Sequence, residues 1–246
     1  MLLLGIDTCG PSGSVALGRL SGGAVEILGQ IELEGRSYSS TLVAAVRDLL
    51  GLGGIALGEV GAIVAVNGPG SFTGVRVGLS AVKGLAEAAR IPVVSVSRLE
   101  VLAAKAGTSS AALDAHRHEV FLRLGGAVSG REVAGAQARE LLAGAPELAN
   151  LELANLELAN LELAGLAAQP VRIAVCDPAA ALLLSSAWPA AELVHTAAPI
   201  AADALSLGAP RVAAGEFVDL ALLDGHYLRR SDAEIFGEPA AAPAHP

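Results

Sequence analysis

Residues 2–7 form a short apolar run, Leu-Leu-Leu-Gly-Ile-Asp, that ends on a carboxylate. Gly10, Pro11, Ser12 and Gly13 then supply turn residues. The hydrophobic pattern predicts further strands over 14–20 and 25–33, the second with Val25, Ile27, Ile31 and Leu33 alternating with polar positions. Gly22-Gly23 between them predicts a hairpin. Residues 39–50 carry Leu42, Val43, Val46, Leu49 and Leu50 at helical spacing. A strand over 60–66, a loop over 67–70, a long helix over 73–90 and a strand over 93–96 follow, with Ile91-Pro92 ending the helix.

Three strands followed by alternating helices and strands predict an α/β fold, a mixed sheet with helices on its faces. That order is the core of the ribonuclease-H-like and actin-like ATPase architecture. In the second half, residues 110–116 and 119–124 read as a strand pair, 171–176 as a strand and 200–214 as a helix. The tail from 238 to 246 is rich in Pro and Ala and reads as disordered. Residues 147–164 repeat with a five-residue period, ELAN-LELAN-LELAN-LELA. Five residues overshoot a helical turn by about 140°, so the leucines form no single apolar face. The segment reads as a tandem insertion without function.

Composition narrows the class. Of 246 residues, 53% are hydrophobic and 17% charged, enough apolar material for a sizeable core. Mean hydropathy is +0.57, which raises the question of a membrane protein. No run of 18 uncharged apolar residues answers it, so a soluble, cytoplasmic chain is expected. Leu2-Leu3-Leu4 lacks a basic lead and meets Asp7, unlike a signal peptide. Two cysteines, Cys9 and Cys176, make no disulfide framework and fit a reducing compartment. The net charge of −9 disfavours direct capture of nucleic acid, which rests on Lys and Arg neutralising phosphates.

The strongest candidate chemistry is Gly68-Pro69-Gly70-Ser71-Phe72-Thr73-Gly74, between a strand and a helix. Glycines admit close backbone approach, Ser71 or Thr73 can cap the helix, and its first amides favour an anion. Phosphate binding and a plain strand-to-helix turn both remain open. The Gly-Lys-Ser/Thr ending of a Walker A loop is missing. Asp7 and Thr8 end the first strand, where a carboxylate and a hydroxyl could face phosphate and magnesium or only form a turn. Cys9 has no His or Lys nearby in sequence and reads as a small buried hydrophobe. Asp114, His116 and His118 could share a strand face as zinc ligands, but a fourth ligand is missing and a turn there would spoil the face. Ser71 lacks the surroundings of a hydrolytic nucleophile. Along the helix over 73–90, Gly74, Gly78, Ala81, Gly84 or Leu85, and Ala88 form a row of small residues. Such a face suits close helix packing, within the monomer or at a subunit interface.

Taken together, Gly5-Ile6-Asp7-Thr8, Ser14-Val15-Ala16-Leu17, the block from Asn67 to Gly78, Leu113-Asp114-Ala115, Glu119-Val120-Phe121 and Tyr227-Leu228-Arg229 resemble the TsaB (formerly YeaZ) family. The resemblance is close over residues 1–125 and loose beyond. It implies an actin-like ATPase fold in two subdomains, 1–105 and 106–237, and a role as the non-catalytic partner of TsaD. That pair makes threonylcarbamoyladenosine on tRNAs reading codons that begin with A, with the ATPase TsaE docking on it. The resemblance places the TsaD contact on the first two helices: Leu42, Val43, Val46, Gly78, Ala81, Gly84, Leu85 and Ala88. A vacant face there is also compatible with a homodimer of the free chain.

Asp7, Thr8, Gly68, Gly70, Ser71, Thr73 and Gly74 would lie near any nucleotide. ATP is used by the complex and is not expected to bind this chain tightly, and tRNA is met only through the complex. In TsaD a His-x-x-x-His pair binds the metal; here Arg98 and Leu102 stand at those places. Neither can ligate a cation, so no metal and no catalytic residue are expected. A stand-alone nucleotide hydrolase and a glycoprotease-like metallopeptidase are the alternatives. Tyr38 in place of a frequent His, the repeat over 147–164 and Cys176-Asp177-Pro178 depart from the family pattern.

Overall fold

The structure is a computed structural model, which describes residues 1–35, 37–125, 127–128, 131–132, 138–144 and 172–229. Strands β1 (Leu2–Asp7), β2 (Ser12–Ser21) and β3 (Ala24–Glu34) form an antiparallel meander. Helix α1 (Tyr38–Leu52) crosses to β4 (Val60–Val66), and α2 (Phe72–Ala89) crosses to β5 (Val93–Val96). β4 lies parallel to β1 and β5 parallel to β4, giving the order β3-β2-β1-β4-β5. Helix α3 (Arg98–Lys105) leads into β6 (Ser110–Asp114) and β7 (Glu119–Leu124), followed by the two-residue pair β8 (Ala127–Val128) and β9 (Arg131–Glu132). Then come β10 (Arg139–Gly144), β11 (Arg172–Val175), α4 (Pro178–Ala187), β12 (Glu192–His195) and α5 (Ala201–Ala214). The second sheet has the order β10-β7-β6-β11-β12. Each sheet is therefore a three-stranded meander extended by two parallel strands, the actin-like fold in two subdomains that the resemblance implies.

Local chemistry explains the elements. Gly22 and Gly23 take φ of 57° and 84°, which lets the β2–β3 hairpin close in two residues. Ser71 caps α2 by accepting a hydrogen bond from Gly74 N (3.2 Å). Such a cap contributes about 1 kcal/mol. The helix ends one residue before the predicted limit because Arg90 adopts a left-handed conformation. The apolar run at β4 is a central strand with both faces covered, and six of its seven residues are buried.

Side-chain alternation along β2 separates two layers. Gly13 faces the Tyr38 ring of α1, whereas Ser14 on the opposite face accepts a buried 2.8 Å hydrogen bond from Ala201 N at the start of α5. Helix α1, with α2 beside it, covers one face of the first sheet and α5 covers the other.

The domain boundary read from the sequence requires correction. Ala201, Ala204, Leu205, Ala209 and Val212 of α5 belong to the core of the first sheet, not to the second subdomain expected over residues 106–237. Conversely, Leu99, Leu102 and Ala103 of α3 pack on Ala111, Leu113, Phe121 and Ala174 of the second sheet. Each half sends its last helix to the other. Glycines fix the docking of α5: a Cβ on Gly5 would lie 2.8 Å from the Ala201 carbonyl, and one on Gly208 would lie 2.7 Å from Val64 Cγ1. Periodicity reveals a helix's apolar stripe but not the sheet that receives it. The repeat over 147–164 and the tail over 238–246 lie outside the described residues.

Candidate functional site

The C-terminal end of β1 and the Gly68–Gly74 loop meet in the cleft between the halves. They meet tightly. The Ser71 amide donates to the Cys9 carbonyl (2.8 Å), and the Thr8 hydroxyl donates to the Gly74 carbonyl (2.7 Å). A Cβ at Gly70 would overlap the Cys9 carbonyl, one at Gly74 the Thr8 carbonyl, and one at Gly78 the Thr8 hydroxyl. The glycine density therefore serves close packing of loop on strand. Gly68 needs its positive φ of 114°, and it is joined to Pro69 by a cis peptide. Ser71 and Thr73 are exposed, while Gly68, Pro69 and Gly74 are buried. The Ser71 amide, one of those a phosphate could have used, points inward to Cys9.

Asp7 is only 2% exposed. Its Oδ1 accepts from Cys9 N (2.8 Å), and its Oδ2 faces Arg98 Nε at 3.6 Å. Arg98, 6% exposed, is the first residue of α3, and its own amide donates to the Gly68 carbonyl (2.6 Å). The carboxylate that could have faced magnesium thus has a guanidinium as counter-charge. Burial, reinforced by the Asp7 charge, pushes the Cys9 thiol well above its usual range. The same two causes raise the Tyr38 phenol to about 12, and its hydroxyl donates to the Gly10 carbonyl (2.9 Å).

A strap covers the loop. His226 N donates to the Asn67 carbonyl (2.7 Å), and the His226 carbonyl lies 3.1 Å from where a Gly68 Cβ would stand. The Tyr227 ring lies 5.0 Å from that of Phe72, with the Arg76 guanidinium 3.9 Å over Phe72. Arg229 pairs with Glu119 and donates to the Ala115 carbonyl. Glu140 gathers Ser97 Oγ (2.6 Å), Arg123 Nη1 (2.7 Å) and His226 Nε2 (2.9 Å). Burial alone would raise the Glu140 pKa, but the His226 imidazole beside it and the hydrogen bonds from Ser97 and Arg123 outweigh it and hold the carboxyl below its ordinary range. Sequence reasoning missed this cluster, because its members are far apart in the chain.

The family described as TsaD, tRNA N6-adenosine threonylcarbamoyltransferase, matches residues 28–173. The TsaB of Escherichia coli K12, a tRNA threonylcarbamoyladenosine biosynthesis protein, is 36% identical over 127 residues, covering 49% of this chain and 53% of that protein. The structure of a Pseudomonas aeruginosa protein with similarity to peptidase YeaZ superposes with a TM-score of 0.68 at 30% identity. That match covers 93% of this chain and 99% of that one. The chain belongs to the TsaB/YeaZ branch of the TsaD family. The aligned segments span about half the length of the TsaB relatives from E. coli and Bacillus subtilis. A second P. aeruginosa YeaZ structure agrees, with a TM-score of 0.65 and 29% identity.

In this TsaB/YeaZ chain the expected partner face needs revision. Leu42 and Val46 lie in the chain's own core, and Gly78 packs against Thr8, so none of the three faces outward. Val43 (57% exposed), Gly84 and Ala88 do, with Ala81 and Leu85 half-buried. Val43, Arg76, Ser80 and Ala81 line a shallow groove of about 360 Å³ between α1 and α2. Helical spacing locates an apolar stripe, yet α1 and α2 each use most of theirs on the sheet.

The remaining candidates resolve simply. His116 and His118 take positive φ in the β6–β7 turn, and His116 Nδ1 lies 3.0 Å from Asp114, so the shared strand face does not form. Among the described residues no group of three or more His, Cys, Asp or Glu could hold a metal ion. Cys9 is a buried free thiol, as read from the sequence. Asp177 caps α4 through Ala180 N (2.7 Å), with Pro178 at the first turn. Among the described residues, no helix is long and apolar enough to cross a membrane.

Proposed function

We propose that this chain is a non-catalytic, partner-binding subunit in the synthesis of threonylcarbamoyladenosine on tRNAs reading codons that begin with A, acting in the cytoplasm as a heterodimer with TsaD. The observation that carries the reading is the pairing of Asp7 with Arg98 inside the cleft. A guanidinium has no lone pair for a metal, and Leu102, one turn on, is wholly buried in the core of the second half. The exposed parts of α1 and α2 supply the surface for TsaD, and TsaE docks on the assembled pair. ATP and tRNA are engaged by the complex: the Gly68–Gly74 loop is packed from within, and a net charge of −9 opposes tRNA capture by this chain alone.

The test is reconstitution. TsaD and this chain, co-expressed, should elute as a heterodimer. Threonylcarbamoyl transfer to tRNA should need both, together with TsaE and ATP. Transfer by this chain alone, or full activity of the other components without it, would overturn the proposal.

A further inference from the structure

The charges on α3 do more than neutralise one carboxylate. Leu99, Leu102 and Ala103 anchor it on the second sheet, Val101 packs into the core of the first, and three of its charged residues also reach into the first half. Arg98 faces Asp7 at the end of β1. Glu100 Oε1 accepts from Arg211 Nη2 (2.5 Å), and Lys105 Nζ donates to Asp203 Oδ2 (2.7 Å), both partners lying on α5. The two α5 pairs are partly exposed and worth little each. The Arg98 pair is different, because both side chains are buried and Arg98 Nε makes no hydrogen bond while facing Oδ2. The floor of the cleft is shaped for it: a Cβ on Gly10 would overlap Arg98 Nη2. Removing the guanidinium while the halves stay packed would leave the Asp7 carboxylate buried without its counter-charge, which is strongly unfavourable out of water.

We propose that Asp7, Gly10 and the Gly68 loop form a cation site of the guanidinium class whose resident occupant is Arg98, and that this occupancy bolts the two halves shut. The cleft is then a fixed joint rather than a ligand-gated hinge. This inference shares the Asp7–Arg98 pairing with the partner reading, but it concerns the free chain and its test needs no TsaD.

The experiment is chemical rescue. Arg98→Ala should melt about 10 °C below the wild type and exchange amide hydrogens faster at residues 7–10 and 68–74. Guanidinium chloride at about 50 mM, well below the concentrations at which it denatures small domains, should raise the variant's Tm by several degrees and slow that exchange. Sodium or magnesium chloride at equal ionic strength should do neither, and the wild type should not respond. A variant with wild-type Tm and exchange, or one that responds equally to all three salts or to none, would overturn the proposal. Should Arg98→Ala not fold, Arg98→Met keeps the apolar stem and removes only the charge. Fast exchange at residues 7–10 in that variant supports the bolt, and wild-type protection there refutes it.

Discussion

The bare Cα of Gly78 faces the Thr8 hydroxyl, which donates a 2.7 Å hydrogen bond to the Gly74 carbonyl one turn earlier on α2. This contact seats the helix on the end of β1. Gly78→Ala should therefore lower stability by about 1–3 kcal/mol through overpacking, despite the better helix propensity of alanine. Gly84, with open space where its Cβ would stand, is the control: Gly84→Ala should raise stability by about 0.5–1 kcal/mol. The double variant Thr8→Ala/Gly78→Ala should lose less than the sum of its parts, because the new methyl enters space the hydroxyl vacated. Urea unfolding of wild type, the single variants Thr8→Ala, Gly78→Ala and Gly84→Ala, and the double variant measures all three effects, and a Gly78→Ala chain as stable as Gly84→Ala would contradict the packing.

Much of the first half was legible because its signals are local. Continuous apolar runs bound β4 and β5, and Gly22-Gly23 marks the hairpin without reference to any long-range contact. Helix α3, at eight residues, was missed because two turns hold too few apolar positions to show a period. The 187-residue separation between Ser14 and Ala201 hides the seating of α5. In the cleft, Asp7, Thr8 and the glycine loop were found by position. What they do was not, since whether a glycine admits a phosphate or a neighbouring carbonyl depends on the strand that approaches it. Gly78 shows the limit most clearly: its spacing placed it correctly in a row of small residues, and its neighbour proved to be Thr8 rather than a partner.

The two thiols should differ in reactivity. Cys9 is buried, donates to the Val66 carbonyl (3.4 Å), and has its pKa pushed well up by burial and Asp7. Cys176 is half-buried, with a pKa raised chiefly by burial. Since the thiolate is the reactive form, a thiol reagent at pH 8 should modify Cys176 slowly and Cys9 only on unfolding. Peptide mapping after timed labelling distinguishes them, and early labelling of Cys9 would mean that the cleft opens readily.

Stability should fall at both ends of the pH scale for identifiable reasons. Tyr38 titrates near 10 when unfolded and about 12 when folded. The folded chain then holds its proton more tightly, so the contribution of Tyr38 is complete below pH 10 and lost between about pH 10 and 12. Tyr38→Phe should flatten that part of the alkaline decline. Glu140 is depressed below its ordinary value of 4.5, so its contribution is complete above that value and lost as pH falls through the lower folded pKa. Glu140→Gln should be less stable at pH 7 and less sensitive to acid. Denaturant midpoints across pH test both, and parallel curves for variants and wild type would remove these groups as the cause.

The partner face can be tested without confusing binding with folding, because the structure separates the residues that serve each. Leu42 is buried in the first core, so Leu42→Ala should cost about 2–5 kcal/mol and weaken TsaD binding only through instability. Gly84 and Val43 touch the surface instead. Gly84→Arg and Val43→Glu should leave the thermal midpoint within about 2 °C of wild type, since surface changes seldom exceed 0.5 kcal/mol. In the proposed heterodimer each would put a charge into a close helix contact, an unpaired group that costs several kcal/mol when desolvated. Binding to TsaD, followed by calorimetry or sedimentation, should therefore fall by at least tenfold in both variants. Wild-type affinity in Gly84→Arg would take α2 out of the interface, and wild-type affinity in both would move the TsaD contact off this face altogether.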